Sequence, residues 1–274
     1  MKIEIKISSI LQKNKNMKNL TIILLAFSFF AFTSCKDKGD TKLEPPMKMD
    51  TAFTATIEFP SIDSLTITAT HYHIGNDSPT IILCHQAGWS RGEYNEIAPK
   101  LNAMGYNCIA IDQRSGGEIN GVTNETKARA TTAGKGTNFV DAKQDITATI
   151  EWAHEYYNKD MILWGSSYSS ALALIIAKEN ASVSTVLSFS PGEYLASFGV
   201  NVGTSMDGLN KPSFLTSSKA EEGQTKLLFD RITASNKVHF VPTGNGEHGS
   251  RALWEDKTDH AEYWVAITAF LDSL

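Results

Sequence analysis

Met161-Ile162-Leu163-Trp164-Gly165-Ser166-Ser167-Tyr168-Ser169-Ser170 is the stretch that decides the fold. Four apolar residues lead in, small residues follow, and an Ala/Leu/Ile-rich helical pattern runs out from Ala171 to Lys178. That order predicts strand, sharp turn and helix. A serine on such a turn stands clear of the sheet with its hydroxyl exposed, but the turn is tight enough that the residues two before and two after must be small. Ser167 meets the requirement with Gly165 and Ser169. Ser166 does not, because Trp164 would fill the crowded place. Ser169 has small neighbours, yet it lies where the helix should already have begun.

Outward from this turn, apolar runs alternate with helical patterns. Thr51 to Phe59 and Ser64 to Ile74 alternate apolar and polar residues around Pro60 and Asp63, which predicts an antiparallel strand pair. His71 and His73 share one face of the second strand; without an acidic or cysteine partner nearby in sequence, an exposed strand face is favoured over a half-built metal site. Thr80 to Cys84 is continuously apolar, as in a strand covered on both faces. A helix from near Glu93 to Gly105, a strand Asn107 to Ile111, a long polar loop Asp112 to Asn138 and a helix Val140 to Tyr157 precede the serine turn. Beyond it come strands at Thr185 to Phe189, Ser213 to Thr216 and Lys237 to Val241, with helices over Gln224 to Ala234 and Asp259 to Leu271. The pattern implies a mostly parallel, twisted sheet with helices on both faces. Reactive groups in such sheets gather outside the carboxyl ends of the strands.

A serine hydroxyl needs a base in hydrogen-bond reach and a third group to orient that base. His248 is the histidine in a loop after the last strand, within Thr243-Gly244-Asn245-Gly246-Glu247-His248-Gly249-Ser250. Ser213 to Thr216 is followed by Glu221 and Glu222; Glu221 is the preferred acid and Glu222 the reserve, although paired glutamates also suit the first turn of a helix.

The order Ser167, Glu221, His248, with the serine after a central strand, resembles the α/β-hydrolase superfamily, and within it small esterases and dienelactone-hydrolase-like members. The likeness runs from about Thr51 to the C-terminus. It implies a carboxylesterase acting on small esters through an acyl-enzyme, with no cofactor and no metal. A peptidase of the same superfamily and a catalytically silent binding protein are the rival readings. It also implies an oxyanion hole from the backbone N–H of Tyr168 with that of Ala87, or alternatively Gln86, in the segment His85-Gln86-Ala87-Gly88. Two departures stand out: Ser169 replaces the usual glycine after the nucleophile, and Gln86 replaces a glycine, so its side chain is expected to shape acyl selection. His85 is expected to brace its loop. Arg114 is read as tying its loop in preference to binding a substrate carboxylate. Trp89, Tyr168 and Phe198 fit an apolar pocket and core packing equally, and Glu193 to Lys211 is long enough for a small cap only.

Met17-Lys18-Asn19, the apolar stretch Leu20 to Phe32 and Thr33-Ser34-Cys35 resemble a bacterial lipoprotein signal peptide with its lipidated cysteine. The apolar stretch falls short of the about 20 residues a spanning helix wants. Residues 1–35 are therefore expected to be the signal peptide, with residues 1–16 an upstream extension, 36–50 a flexible tether, and 51–274 a single domain. An exported protein, lipid-anchored to a membrane of the cell envelope, is the localisation this implies. A formal charge of -5 spread along the chain gives no reason to expect a nucleic-acid partner. Cys84 and Cys108 lie in apolar runs and are read as buried thiols in preference to a disulfide.

Overall fold

A computed structural model describes residues 50–274; the expected signal peptide, Cys35 and the tether before Asp50 lie outside them. In chain order come β1 (Phe53–Pro60), β2 (Thr66–His73), β3 (Thr80–Cys84), a 3-10 turn (Arg91–Tyr94), α1 (Ile97–Ala103) and β4 (Asn107–Ile111). A short hairpin, β5 (Glu118–Ile119) and β6 (Val122–Thr123), precedes α2 (Glu125–Thr132), α3 (Lys143–Tyr157), β7 (Met161–Ser166) and α4 (Tyr168–Glu179). Then follow β8 (Val183–Phe189), α5 (Val202–Ser205), β9 (Ser213–Thr216), α6 (Glu222–Phe229), β10 (Lys237–Phe240) and α7 (His260–Leu271).

The main sheet has eight strands in the order β1-β2-β4-β3-β7-β8-β9-β10. β1 pairs with β2 and β2 with β4 in antiparallel fashion, and the pairings from β4 to β10 are parallel. Every residue of β3, β4 and β7 is buried, as the continuously apolar runs require of strands with helices on both faces. Alternate side chains feed two cores. Ile82, Cys84 and Leu163 pack with α3 and α4, while Ile81, Leu83, Ile162 and Trp164 pack with α1 and α7. Burying a side chain of this size contributes roughly 1.5–3 kcal/mol, so the central strands are the rigid part of the frame.

Strand order reverses at β3: the chain steps outward to β4, then returns to place β7 on β3's other side. The loop following β3 and the turn following β7 therefore meet outside adjacent carboxyl ends, the position where open α/β sheets form their crevice.

Three expectations are corrected. The stretch Asp112 to Asn138 is not one loop, since it holds the β5–β6 hairpin and α2, which Asn124 caps by accepting from the Lys127 N–H. The expected helix from Glu93 is a 3-10 turn followed by α1. His71 and His73 are each 1% exposed. Their rings meet the Tyr157 hydroxyl at 2.6 and 2.8 Å under α3, and burial, then the neighbouring His73, lowers the His71 pKa to about 4. No group of three or more His, Cys, Asp or Glu side chains placed to hold a metal occurs among the described residues.

Cys84 and Cys108 are buried free thiols. Arg114 is 1% exposed and donates to Asp145, Asp63 and Ser61, so it ties its loop to the start of α3 and to the β1–β2 turn. Among the described residues no helix is long and apolar enough to cross a membrane.

Candidate active site

Ser167 stands between β7 and α4 with φ 58° and ψ -123°, a backbone conformation that a serine adopts only under constraint from its surroundings. The constraint is visible at Gly165, where a Cβ would lie 2.4 Å from the Ser170 Cα and 2.5 Å from the Ser169 carbonyl oxygen. The competing serines are engaged elsewhere. Ser166 donates to Glu93, and Ser169 donates its hydroxyl proton within reach of the Cys84 and Ser166 carbonyls.

His248 Nε2 lies 2.8 Å from Ser167 Oγ, and His248 Nδ1 lies 2.5 Å from Glu221 Oε1. Three side chains separated by 81 and 27 positions in sequence thus converge at the carboxyl ends of β7, β9 and β10. The histidine loop reaches the elbow because Gly249 takes φ 72° and comes so close that a Cβ there would sit 2.6 Å from Ser166 Oγ. Glu222 opens α6, and the bond to the imidazole comes from Glu221.

Glu221 Oε2 accepts from the Ser190 hydroxyl at 2.9 Å and the Ser218 hydroxyl at 2.7 Å. Burial alone would raise this carboxyl, but the bonds from His248, Ser218 and Ser190 override it and hold it at about 2. The acid is therefore ionised throughout the neutral range, with Oε1 reserved for the imidazole.

Tyr168 opens α4 directly behind Ser167, so its N–H belongs to the first helical turn, where no intrahelical acceptor exists. In the loop after β3, the Gln86 N–H donates to Glu93 Oε2 at 2.7 Å. That bond commits the Gln86 N–H to Glu93, while Ala87 beside it is exposed. The Gln86 side chain is 7% exposed and packs beside Gly249, with its Nε2 lacking a partner among the described residues. His85 braces the loop: its Nδ1 meets the Gln86 carbonyl at 2.8 Å, its Nε2 accepts from the Gln113 N–H at 3.2 Å, and burial lowers its pKa to about 4. Of the proposed pocket aromatics, Tyr168 is fully buried against Phe139 and bonded to the Ser115 carbonyl, Trp89 stacks on Trp254, and Phe198 is exposed.

Three residues of the site carry no signal in the sequence. Ser190 follows β8 with φ 52° and holds Glu221. The Tyr194 ring stands perpendicular to that of His248, and its hydroxyl donates to the Ser190 carbonyl. Glu93 sits behind the elbow, fully buried.

Residues 75–202 match the family model described as serine aminopeptidase, S33. Among solved structures, the chain is similar to an esterase of Pyrococcus furiosus, with TM-score 0.63 and 19% identity over 81% of this chain and 93% of that one. It is similar to dienelactone hydrolase from Anabaena variabilis, with TM-score 0.62 and 13% identity over 81% and 98% of the two chains. A cold-adapted esterase from an Arctic intertidal metagenomic library aligns with TM-score 0.58 and 15% identity over 83% and 96%. No curated protein sequence matches the chain.

Proposed function

On the α/β-hydrolase fold that this chain has, we propose a serine hydrolase that cleaves small carboxylic esters through an acyl-enzyme. The observation that carries the reading is the unbroken line Ser167 Oγ, His248 Nε2, His248 Nδ1, Glu221 Oε1, at 2.8 and 2.5 Å.

Ser167 Oγ attacks the ester carbonyl as His248 Nε2 takes its proton. The imidazolium that forms is stabilised by the ionised Glu221, which keeps its charge because its carboxyl titrates near 2. Charge developing on the carbonyl oxygen is met by the N–H groups of Tyr168 and Ala87, a stabilisation worth roughly 3–4 kcal/mol per donor in such sites. Collapse of the tetrahedral species breaks the C–O bond, and His248 returns the proton to the leaving alcohol. Water then enters, gives a proton to His248 and attacks the Ser167 ester, releasing the carboxylic acid and restoring the serine.

A second reading, an aminopeptidase, is favoured by the description of the matching family model. An aminopeptidase requires an anionic group for the substrate's terminal amine. Glu193, the acid in the stretch after β8, is committed to the Val202 and Gly203 N–H groups at 2.7 and 2.9 Å, which weighs toward esters. A panel of short acyl esters and aminoacyl amides, run with wild type and Ser167→Ala, separates the two. Turnover of the esters, abolished in the variant, is expected; turnover of the amides alone would favour the peptidase.

We also propose that the chain is exported and lipid-anchored through Cys35. Intact mass of membrane-extracted protein is expected to begin at a diacylated Cys35, and an unmodified Cys35 would contradict the anchor.

A further inference from the structure

Glu93 lies in the 3-10 turn after the oxyanion loop and has no solvent exposure. Its Oε2 accepts from the Gln86 N–H at 2.7 Å and its Oε1 from the Ser166 hydroxyl at 2.6 Å. Ser166 Oγ in turn accepts from the Ser250 N–H at 2.8 Å. Each residue in this chain of bonds neighbours a functional one: Gln86 precedes Ala87, Ser166 precedes Ser167, and Ser250 follows His248 by two. One carboxylate thus joins the loops after β3, β7 and β10 from beneath. The Trp254 indole bonds the Glu93 carbonyl at 3.0 Å, and the Trp164 indole bonds Ser250 Oγ at 2.8 Å, closing the network against water.

The direction of the bonds is fixed by chemistry. A backbone N–H donates only, so Ser250 N–H must give to Ser166 Oγ, and the Ser166 proton then points to Oε1. Both carboxylate oxygens face donors. A proton added at Oε2 opposes the Gln86 N–H, which cannot turn away; one added at Oε1 opposes the Ser166 hydroxyl and forces its proton elsewhere. Either way at least one tie among the three loops is lost.

We propose that Glu93 is a positioning residue whose ionised carboxylate holds the Gln86–Ala87 turn in register with the elbow and the histidine loop, so that the oxyanion site is complete only while Glu93 is charged. The inference rests on Ser167 being the nucleophile. The charge is lost within the working range, because burial raises the Glu93 pKa to about 7 against the opposing bonds from Ser166, Gln86 and Ser250 and the positive field of Arg251. The other ionisable groups that face it are Cys84 of β3 and Tyr94 of the same turn. Burial pushes both upward, so they stay neutral there, and Arg251 is paired with Glu247.

The test is the pH dependence of fluorophosphonate labelling and of ester kcat/KM for wild type, Glu93→Gln and Ser166→Ala. In wild type, protonation of Glu93 is expected to lower the labelling rate and kcat/KM by about tenfold, to the level of an uncharged side chain at that position. Glu93→Gln keeps the side chain's shape and removes its titration. That stepwise fall is expected to be absent from its profile, which lies on a plateau about tenfold lower, with KM within about twofold of wild type. Ser166→Ala retains the acid but removes a bond that lowers its pKa, and its acid limb is expected to move to higher pH. A wild-type limb with the same steepness and midpoint as that of Glu93→Gln would overturn the inference. Should Glu93→Gln not fold, a Ser166→Ala profile superimposable on wild type would do the same. Absence of labelling in folded wild type at every pH would instead overturn the nucleophile assignment on which the inference rests.

Discussion

Ser190 holds Glu221: its hydroxyl donates to Oε2 at 2.9 Å and accepts from the Gly249 N–H at 2.9 Å, so one side chain fastens the acid to the loop that carries the base. Removing it frees Glu221 to rotate away from His248 and leaves the Gly249 N–H buried without its acceptor. Ser190→Ala is expected to lower kcat for an ester by about tenfold to 150-fold, in line with the roughly 1.5–3 kcal/mol of a hydrogen bond to a charged group, and to change KM little. An unchanged kcat would mean that Ser218 alone suffices to hold the acid.

Paired glutamates separate cleanly by geometry. Glu221 faces the imidazole, whereas Glu222 begins α6. Glu221→Gln is expected to lower kcat by about 10³–10⁴, since the amide no longer stabilises the imidazolium and admits the wrong tautomer. Glu222→Gln is expected to remain within about twofold of wild type, as surface first-turn charges contribute little to transition-state binding. Steady-state kinetics on the two variants check this, and a loss confined to Glu222→Gln would reverse the assignment.

Arg114 serves stability. It is enclosed by Asp145, which is fully buried, and by Asp63, with N–O distances of 2.7 and 2.8 Å. Arg114→Ala strands a buried carboxylate, for which a loss of about 3–5 kcal/mol in unfolding free energy is expected. The Asp63 carboxyl is held well below its ordinary value, chiefly by the Arg114 bond with help from Lys135 and against a burial cost. Its contribution is present above the ordinary carboxylate pKa and is lost as pH falls through the depressed folded value. Denaturant unfolding of wild type and Asp63→Asn is therefore expected to converge as pH is lowered through the acid range. A gap that stays constant with pH would contradict the pairing.

What could be read from the chain follows from where physical information is local. Asn107 to Ile111 and Ser213 to Thr216 are strands at the bounds their apolar runs suggest, because a strand covered on both faces must be continuously apolar. That Ser167, Glu221 and His248 lie together was legible because parallel topology sends every strand end to one edge, whatever the sequence separation. α2 is not legible because Glu125–Thr132 has almost no apolar period, and its packing rests on Thr126, Ala130 and the Asn124 cap. The burial of His71 and His73 depends on Tyr157, more than 80 positions away. The helical pattern from Glu93 says nothing of where its carboxylate points; that contact is with Ser166, 73 positions on, and no local pattern encodes it.

Covalent capture by a fluorophosphonate shows whether Ser167 is an activated nucleophile. The folded wild-type protein is expected to gain one phosphonyl adduct, located at Ser167 by peptide mass spectrometry, and Ser167→Ala is expected to gain none. His248→Ala should label at least about 10³-fold more slowly, since the serine loses its base. Wild type that folds correctly yet takes no label, or equal labelling of Ser167→Ala, would contradict the account.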